Sequence, residues 1–351
     1  MARGTDFGGI HSHRDLNLIQ QTVEVDPAEP KLNLVEIPGA DGAVDMTEQP
    51  AGRVTYNTRK ITWTFALYPG ESWDAKHRQV SNALNGRKCN ITLDTDPGYY
   101  YQGRLSVTKH KIDNTLRQIT VVAICQPYKL RQNQTQIFVP FCGKNLLNVS
   151  EANQLAQMYG SVEYIPGGVR KSGSYFVGFR AFVKPNTLYY LSGNAKKITE
   201  ASTAPSGGRI AIYDKDVRNS VAQFGSFEGY RAFPFNSGNH NEVTVLLYSD
   251  SDKTLGVYEF TNLQLEPIRA TEYEPFTPVT DALPITLLND RKSVVPDIIC
   301  KGETTLTTAA GTYKLNAGTH KILDFQLEEG ETQVTLQGTG AAYITYQEGS
   351  L

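Results

Sequence analysis

The side chains that could do chemistry here are few and far apart. His11-Ser12-His13 would send two imidazoles to one face of a strand, as metal ligands are arranged. No Cys or acid pair stands at a spacing that would complete such a site, so no metal is expected. Asp214-Lys215-Asp216 could hold calcium, but the twelve-residue loop with a central Gly and a final Glu is missing. A solvated turn is expected there instead. Cys89, Cys125, Cys142 and Cys300 are scattered without a CxxC pair, which argues against a zinc knuckle or a redox couple. They read as free, buried thiols of a reducing compartment. GxSxG, HExxH and P-loop motifs do not occur, and no spacing identifies a pair of glycosidase carboxylates. No catalytic residue and no cofactor is expected, and the chain is read as a non-enzyme.

What remains is the chemistry of stacking. An aromatic ring covers the apolar C–H face of a pyranose while neighbouring polar groups bond its hydroxyls. Between residues 224 and 241, Phe227, Tyr230, Phe233 and Phe235 stand among Arg231, Asn236, Asn239 and His240. Gly225, Gly229, Pro234 and Gly238 are expected to break any strand there and leave a loop. Phe227, Tyr230, Arg231, Phe233, Phe235, Asn239 and His240 are therefore the candidate carbohydrate-binding residues. Tyr213 beside Asp214 and Asp216 forms a second cluster. The opposing reading is that these rings fill a core.

The elements that must position them are mostly strands. Nineteen Tyr and fourteen Phe against three Met, with many Thr, Val and Gly, lean towards β-structure. At 351 residues the chain can hold two or three domains with cores of their own. A formal charge of −2 gives no basic footprint for nucleic acid. The N-terminus carries no apolar signal region, and no run is long enough to span a membrane, so synthesis in the cytoplasm without membrane insertion is expected. Residues 59–68 alternate strictly, with Ile61, Trp63, Phe65 and Leu67 on one face. Residues 103–109 and 116–125 read as two more strands, with 111–115 as their hairpin connection. One helix interrupts them: Ser72 as N-cap, Asp74 in the first turn, Gly86 at the end, and Trp73, His77, Val80 and Leu84 on one face.

Residues 143–276 read as a complete body set inside another one. Strands are expected at 175–183, with apolar residues on both faces, and at 188–192, 209–213, 243–248 and 257–265. In the last the apolar parity slips near Thr261-Asn262, which predicts a β-bulge. The flanks 136–141, 282–288, 294–300, 311–315, 321–325, 333–336 and 342–346 are short strands at short spacing, as in a β-sandwich.

The order of motifs in residues 1–128 also resembles a known family. A PGxDGxxD stretch beginning at Pro38 is followed by an aromatic strand after Arg59. A helix opening on Trp73 then ends in Asn85-Gly86-Arg87, and Tyr100-Tyr101-Gln102-Gly103-Arg104-Leu105 follows. This is similar to the N-terminal domain of the distal tail proteins of long, non-contractile-tailed phages. The resemblance implies a β-sandwich with one helix and a β-hairpin arm, assembling into a hexameric ring. Pro38, Gly39, Asp41, Gly42, Tyr100, Tyr101 and Arg104 are the ring-assembly residues it suggests. Residues 129–142 with 277–351 resemble the family's galectin-like domain. Residues 143–276 look like an inserted jelly-roll carbohydrate-binding module, chiefly through the closing stretch from Asn262 to Phe276.

The function so implied is that of a hub at a virion tail tip or baseplate, joining the tail tube to the host-adhesion apparatus. Its partners would be five further copies, the tail tube protein, a tail-associated hub or lysin protein, receptor-binding or baseplate proteins, and a host cell-wall polysaccharide. DNA would pass through the ring without specific binding. The alternative is a free glycan-binding or glycan-cleaving protein with β-rich accessory domains.

Overall fold

The computed structural model describes residues 4–108, 118–157, 160–173, 175–198, 208–249 and 256–351. The chain is all-β, with one α-helix among the described residues. Most buried apolar side chains among the described residues fall into three clusters, built from residues 7–125, 146–265, and 139–141 with 287–346.

The first cluster is served by β1 (Thr5–Phe7), β2 (Leu18–Val25), β3 (Leu34–Glu36), β4 (Ala43–Asp45), β5 (Arg59–Leu67), helix α1 (Trp73–Leu84), β6 (Lys88–Leu93), β7 (Tyr99–Val107), β8 (Gln118–Cys125) and β9 (Lys129–Arg131). One antiparallel sheet runs β1-β6-β7-β8-β5-β2, with α1 in contact with β7. The alternation in β5 places Ile61, Trp63, Phe65 and Leu67 in the core as expected, and Phe7 meets the Trp63 ring edge-on at 5.1 Å. Ser72 precedes the helix but makes no side-chain cap bond. The C-terminal end follows expectation, with Gly86 at φ +77°, a conformation that favours glycine. The expected connection at 111–115 lies outside the described residues. β3 and β4 pair only with each other, forming a hairpin outside the main sheet.

The middle cluster lies between two five-stranded sheets. They use β10 (Thr135–Pro140) as the lead-in, then β11 (Gln154–Gln157), β12 (Ser161–Ile165), β13 (Gly168–Ser172), β14 (Tyr175–Phe182), β15 (Leu188–Lys197), β16 (Arg209–Asp214), β17 (Ser220–Gln223), β18 (Gly229–Asn236), β19 (Glu242–Ser249) and β20 (Val257–Pro267). The sheets run β11-β14-β19-β16-β17 and β12-β13-β20-β15-β18. The predicted bulge is present. Pairing of β15 with β20 skips between Ser192 and Asn194, and Asn262 adopts φ +52°. Chain entry and exit lie side by side, with the Gly143 N–H bonded to the Thr277 carbonyl at 2.8 Å.

The third cluster is enclosed by two four-stranded sheets, built from β10 with β21 (Leu283–Asn289), β22 (Asp297–Cys300), β23 (Thr304–Thr308), β24 (Gly311–Leu315), β25 (Gly318–Lys321), β26 (Gly330–Gly338) and β27 (Ala341–Tyr346). The strand expected at 321–325 is corrected. It ends at Lys321, and a turn from Ile322 to Phe325 buries Phe325 while exposing Leu323. Three apolar residues at 322, 323 and 325 do not alternate, so no strand could bury all of them. The final strand, β28 (Gly349–Ser350), pairs with β9 and so stitches the chain's end to the first unit's sheet.

The middle unit is also docked firmly on the third. Tyr343 is fully buried, and its hydroxyl donates to the carbonyls of Val183 and Asn241 at 2.9 and 2.5 Å. Phe138 stacks on the Tyr343 ring at 5.0 Å. Lys301 reaches Glu242 and Asn241 at 3.5 and 3.3 Å.

Candidate functional site

The expected loop between 224 and 241 contains strand β18: Gly229 is its first residue, Pro234 sits within it because it is an edge strand, and Gly225 and Gly238 fall outside it. Its register on β15 pairs Phe235 with Tyr189 and Phe233 with Leu191, both core positions. The candidate rings therefore divide. Phe227 and Phe235 are 6% and 5% exposed and belong to the core. Phe233 is held between Phe224 at 4.4 Å and Phe227 at 5.0 Å. These three Phe candidates are corrected to packing residues: parity in β18 turns Phe233 and Phe235 inward, the bridge to Gly208 sets Phe227 against the core, and a bare phenyl ring gains most by burial. Tyr230 stays 55% exposed, and Arg231 and Asn239 are exposed too. Consecutive Tyr230 and Arg231 project to opposite sides of the strand, so they do not face one ligand together. His240 is half-buried in the turn before β19, near enough to Asp214 to help lower its pKa.

The first-unit candidates also divide. Pro38, Gly39, Asp41 and Gly42 form the exposed tip of the β3–β4 hairpin, with Gly39 and Gly42 at positive φ. Tyr101 is corrected: only 8% exposed, it faces the first core, with the Arg59 guanidinium 5.7 Å from its ring. Tyr100 lies on the other face, half-buried, its phenol pKa raised by burial. Arg104 is exposed and donates to the Gly86 carbonyl at 2.7 Å, closing the helix end. His11 is buried with Nε2 3.3 Å from Asp94, and residues 12–16 turn rather than extend, so the two imidazoles share no strand face. Asp214 accepts from the Arg218 and Asn219 backbone N–H groups at 2.8 and 3.0 Å, as a turn residue does. These bonds, the Arg218 one first, hold its carboxyl below the usual range. All four cysteines are free. Burial raises each thiol, Cys125 to about 12 and Cys142 to about 11.

A different aromatic group stands on the outer face of the β11-β14-β19-β16-β17 sheet. On β19, Val243, Val245 and Leu247 enter the core, which turns Thr244, Leu246 and Tyr248 outward. Register then sets them in rows. Phe176, Tyr248 and Arg209 share one row; Gly178, Leu246, Ala211 and Gln223 share the next; Arg180, Thr244 and Tyr213 share the third. Phe176 and Tyr248 lie 5.4 Å apart, and the Arg209 guanidinium sits 4.3 Å from the Tyr248 ring centre. Gln223 Nε2 donates to the Tyr213 hydroxyl at 3.3 Å. Burial first, then the hydrogen bond to the Tyr213 hydroxyl, push Tyr248 up to about 12. Arg180 is tied to Glu242 at 2.7 Å.

Thr244 is fully buried in this face, and its hydroxyl has no hydrogen-bond partner among the described residues. A buried polar group left so costs on the order of 1–3 kcal/mol. Half-buried rings, a stacked guanidinium, an amide and hydroxyls on one sheet face make a platform suited to a sugar: apolar area for C–H groups, donors and acceptors for O–H groups. Sequence reasoning named only Tyr213. The outward parity of Phe176 in β14, and of Arg209 and Tyr213 in β16, was the signal available. The spaces beside the hairpin and between the first and third units are open and charged instead. In the latter, Arg53 pairs with Glu328 at 3.6 Å and Arg291 with Glu329 at 3.9 Å.

No protein-family model matches the chain, and no curated protein matches it. Among solved structures, it is similar along its whole length, and along all of the other chain, to the Dit protein (gp 19.1) of phage SPP1. That protein's structure is described as a paradigm of the hub adsorption apparatus in phages infecting Gram-positive bacteria; identity is 12% and the TM-score 0.40. Over 62% of this chain and 99% of the other, it is similar to the tandem CBM22 domains of Paenibacillus barcinonensis Xyn10C, at 9% identity and a TM-score of 0.27. No helix among the described residues is long and apolar enough to cross a membrane.

Proposed function

We propose that this chain is a structural hub protein of a phage tail tip, assembling as a six-membered ring and carrying a glycan-binding module on its periphery. Residues 1–128 build the ring, 129–142 with 277–351 form the galectin-like host, and 143–276 are the inserted module. The observation that carries assembly is the β3–β4 hairpin. Leu32, Leu34, Val35, Ile37 and Val44 are all exposed on or beside it, from 42% to 63%. An isolated two-stranded ribbon is marginal in water, and a cluster of exposed apolar side chains marks a surface that another chain covers. In a ring the hairpin of one copy meets a different patch on the next, a heterologous contact that closes on itself. The ring would join the tail tube to the adhesion proteins and let DNA pass without gripping it, in keeping with the net charge of −2.

Light scattering on the full chain tests this. The expected mass is about six times that of one chain for wild type under assembly conditions. Val44→Asp should give single-chain mass with an unchanged melting temperature. A wild type that is monomeric or dimeric, both alone and in tail preparations, overturns the ring. The second reading, a free glycan-binding protein, is favoured by the platform around Tyr248, and a monomeric wild type that still binds wall polysaccharide would support it.

A further inference from the structure

The platform around Tyr248 carries a charge pattern that narrows the glycan class, on the reading that this face binds a glycan at all. The chain as a whole is acidic, at −2. On and beside this sheet face stand the cations Arg180, Arg209 and Lys301 and the carboxylates Glu242 and Asp214, the last taken up by the backbone N–H groups of its own turn. Arg180 and Lys301 both engage Glu242, at 2.7 and 3.5 Å. Arg209 is left over. It is exposed, makes no ion pair with a described residue, and its guanidinium lies 4.3 Å from the Tyr248 ring centre and donates to the Tyr248 hydroxyl. Those contacts orient the guanidinium plane, and its remaining N–H groups can meet an anion. The second N–H of the Gln223 amide, whose first donates to Tyr213, is a further donor on this face.

We infer that the sheet face formed by Phe176, Arg209, Tyr213, Gln223 and Tyr248 selects an acidic saccharide, whose carboxylate or phosphodiester oxygens pair with Arg209 while its ring stacks on Phe176 and Tyr248. A neutral sugar would use the rings but leave the guanidinium unpaired. Specificity comes from the difference between those two states. Charge-assisted bonds from a guanidinium to carboxylate or phosphate are about twice as strong as neutral ones, which sets the expected preference at roughly tenfold or more at low salt.

The experiment titrates the full-length chain with three probes: an oligogalacturonate, its methyl ester, and a glycerol phosphate polymer bearing glucose. At least one acidic probe should bind about tenfold or more tightly than the ester, with the advantage shrinking as salt rises. Arg209→Gln should abolish the advantage, and Arg209→Lys should keep part of it. Preference for the uronate or for the phosphate polymer identifies which anion the fork takes. If neither acidic probe outbinds the ester, or if Arg209→Gln keeps the preference, the inference is overturned. Phe176→Ala, assayed on wall polysaccharide from a susceptible host, separates this from the underlying reading. Lost binding there with no acid preference sinks only the charge assignment, whereas unchanged binding sinks the platform itself.

Discussion

Two groups of three aromatic rings in the middle unit have opposite fates. Phe224, Phe227 and Phe233 pack ring on ring between edge strands β17 and β18, with centroids 4.4 and 5.0 Å apart. Phe176, Tyr248 and Tyr213 stand on the outside of a sheet, alongside Arg209 and Gln223. The first group holds carbon only, and burial is all it can gain. The second holds hydroxyls and a stacked cation, so it can stay half-buried and still interact. An aromatic-rich segment is thus a poor guide to a sugar site, and the parity of each ring in its strand is a better one.

Truncating a ring should separate the two groups most strongly. Phe227→Ala should cost about 3–5 kcal/mol of stability in the unit, as deletion of a buried phenyl does, read as a lowered denaturant midpoint. Tyr248→Ala should cost far less, because its ring is partly solvated.

A second effect concerns protonation. Tyr248 ionises near 12 in the folded chain and near 10 when unfolded. Below pH 10 both states keep the proton and stability is unaffected. Between 10 and 12 only the unfolded state loses it, so stability falls as pH rises through that window. An absorbance titration should show phenolate amplitude near pH 12 that Tyr248→Phe removes. If the amplitude stays, Tyr248 is not the buried phenol of the platform.

Thr244→Val sharpens the contrast in the other direction. Removing an unpartnered buried hydroxyl should raise stability by about 1 kcal/mol, read as a higher melting temperature. A loss of stability would mean that the hydroxyl has a partner in the free chain.

The smallest change belongs to Tyr230, one of the candidates read from the sequence. Tyr230→Ala should shift stability by no more than about 0.5 kcal/mol, as exposed substitutions do, measured on the same denaturant curve. A larger loss would place Tyr230 in the packing group.

Much of this was legible before the fold. Strict alternation identified β5, the slipped parity of residues 257–265 gave the bulge at Asn262, and Gly86 marked the helix end. Strand β23, Thr-Thr-Leu-Thr-Thr, escaped because only Leu306 announces a buried face. β18 escaped because its bounding glycines looked like strand breakers, when the pairing with β15 decides the matter. The strand β14 was read as apolar on both faces. Its outward residues in fact go to different places, Phe182 towards Gly340 of the third unit and Phe176 towards the platform. Such destinations depend on long-range register, which local periodicity does not contain.

The independence of the middle unit needs similar care. With Tyr343 donating to Val183 and Asn241, and Phe138 stacked on it, excising 143–276 would bare both rings to water. A linker joining 141 to 277 therefore needs a polar replacement at Phe138 to keep the remainder soluble.

The most direct test compares two tyrosines in one assay. Full-length wild type, Tyr248→Ala and Tyr230→Ala are bound to extracted cell-wall polysaccharide of a susceptible host, with matched melting temperatures as the control. The platform predicts that Tyr248→Ala loses roughly two- to tenfold in affinity, since one stacked ring is worth about 0.5–1.5 kcal/mol, and that Tyr230→Ala binds like wild type. The reverse pattern, with binding lost at Tyr230 and kept at Tyr248, would return the site to strand β18 and contradict the account.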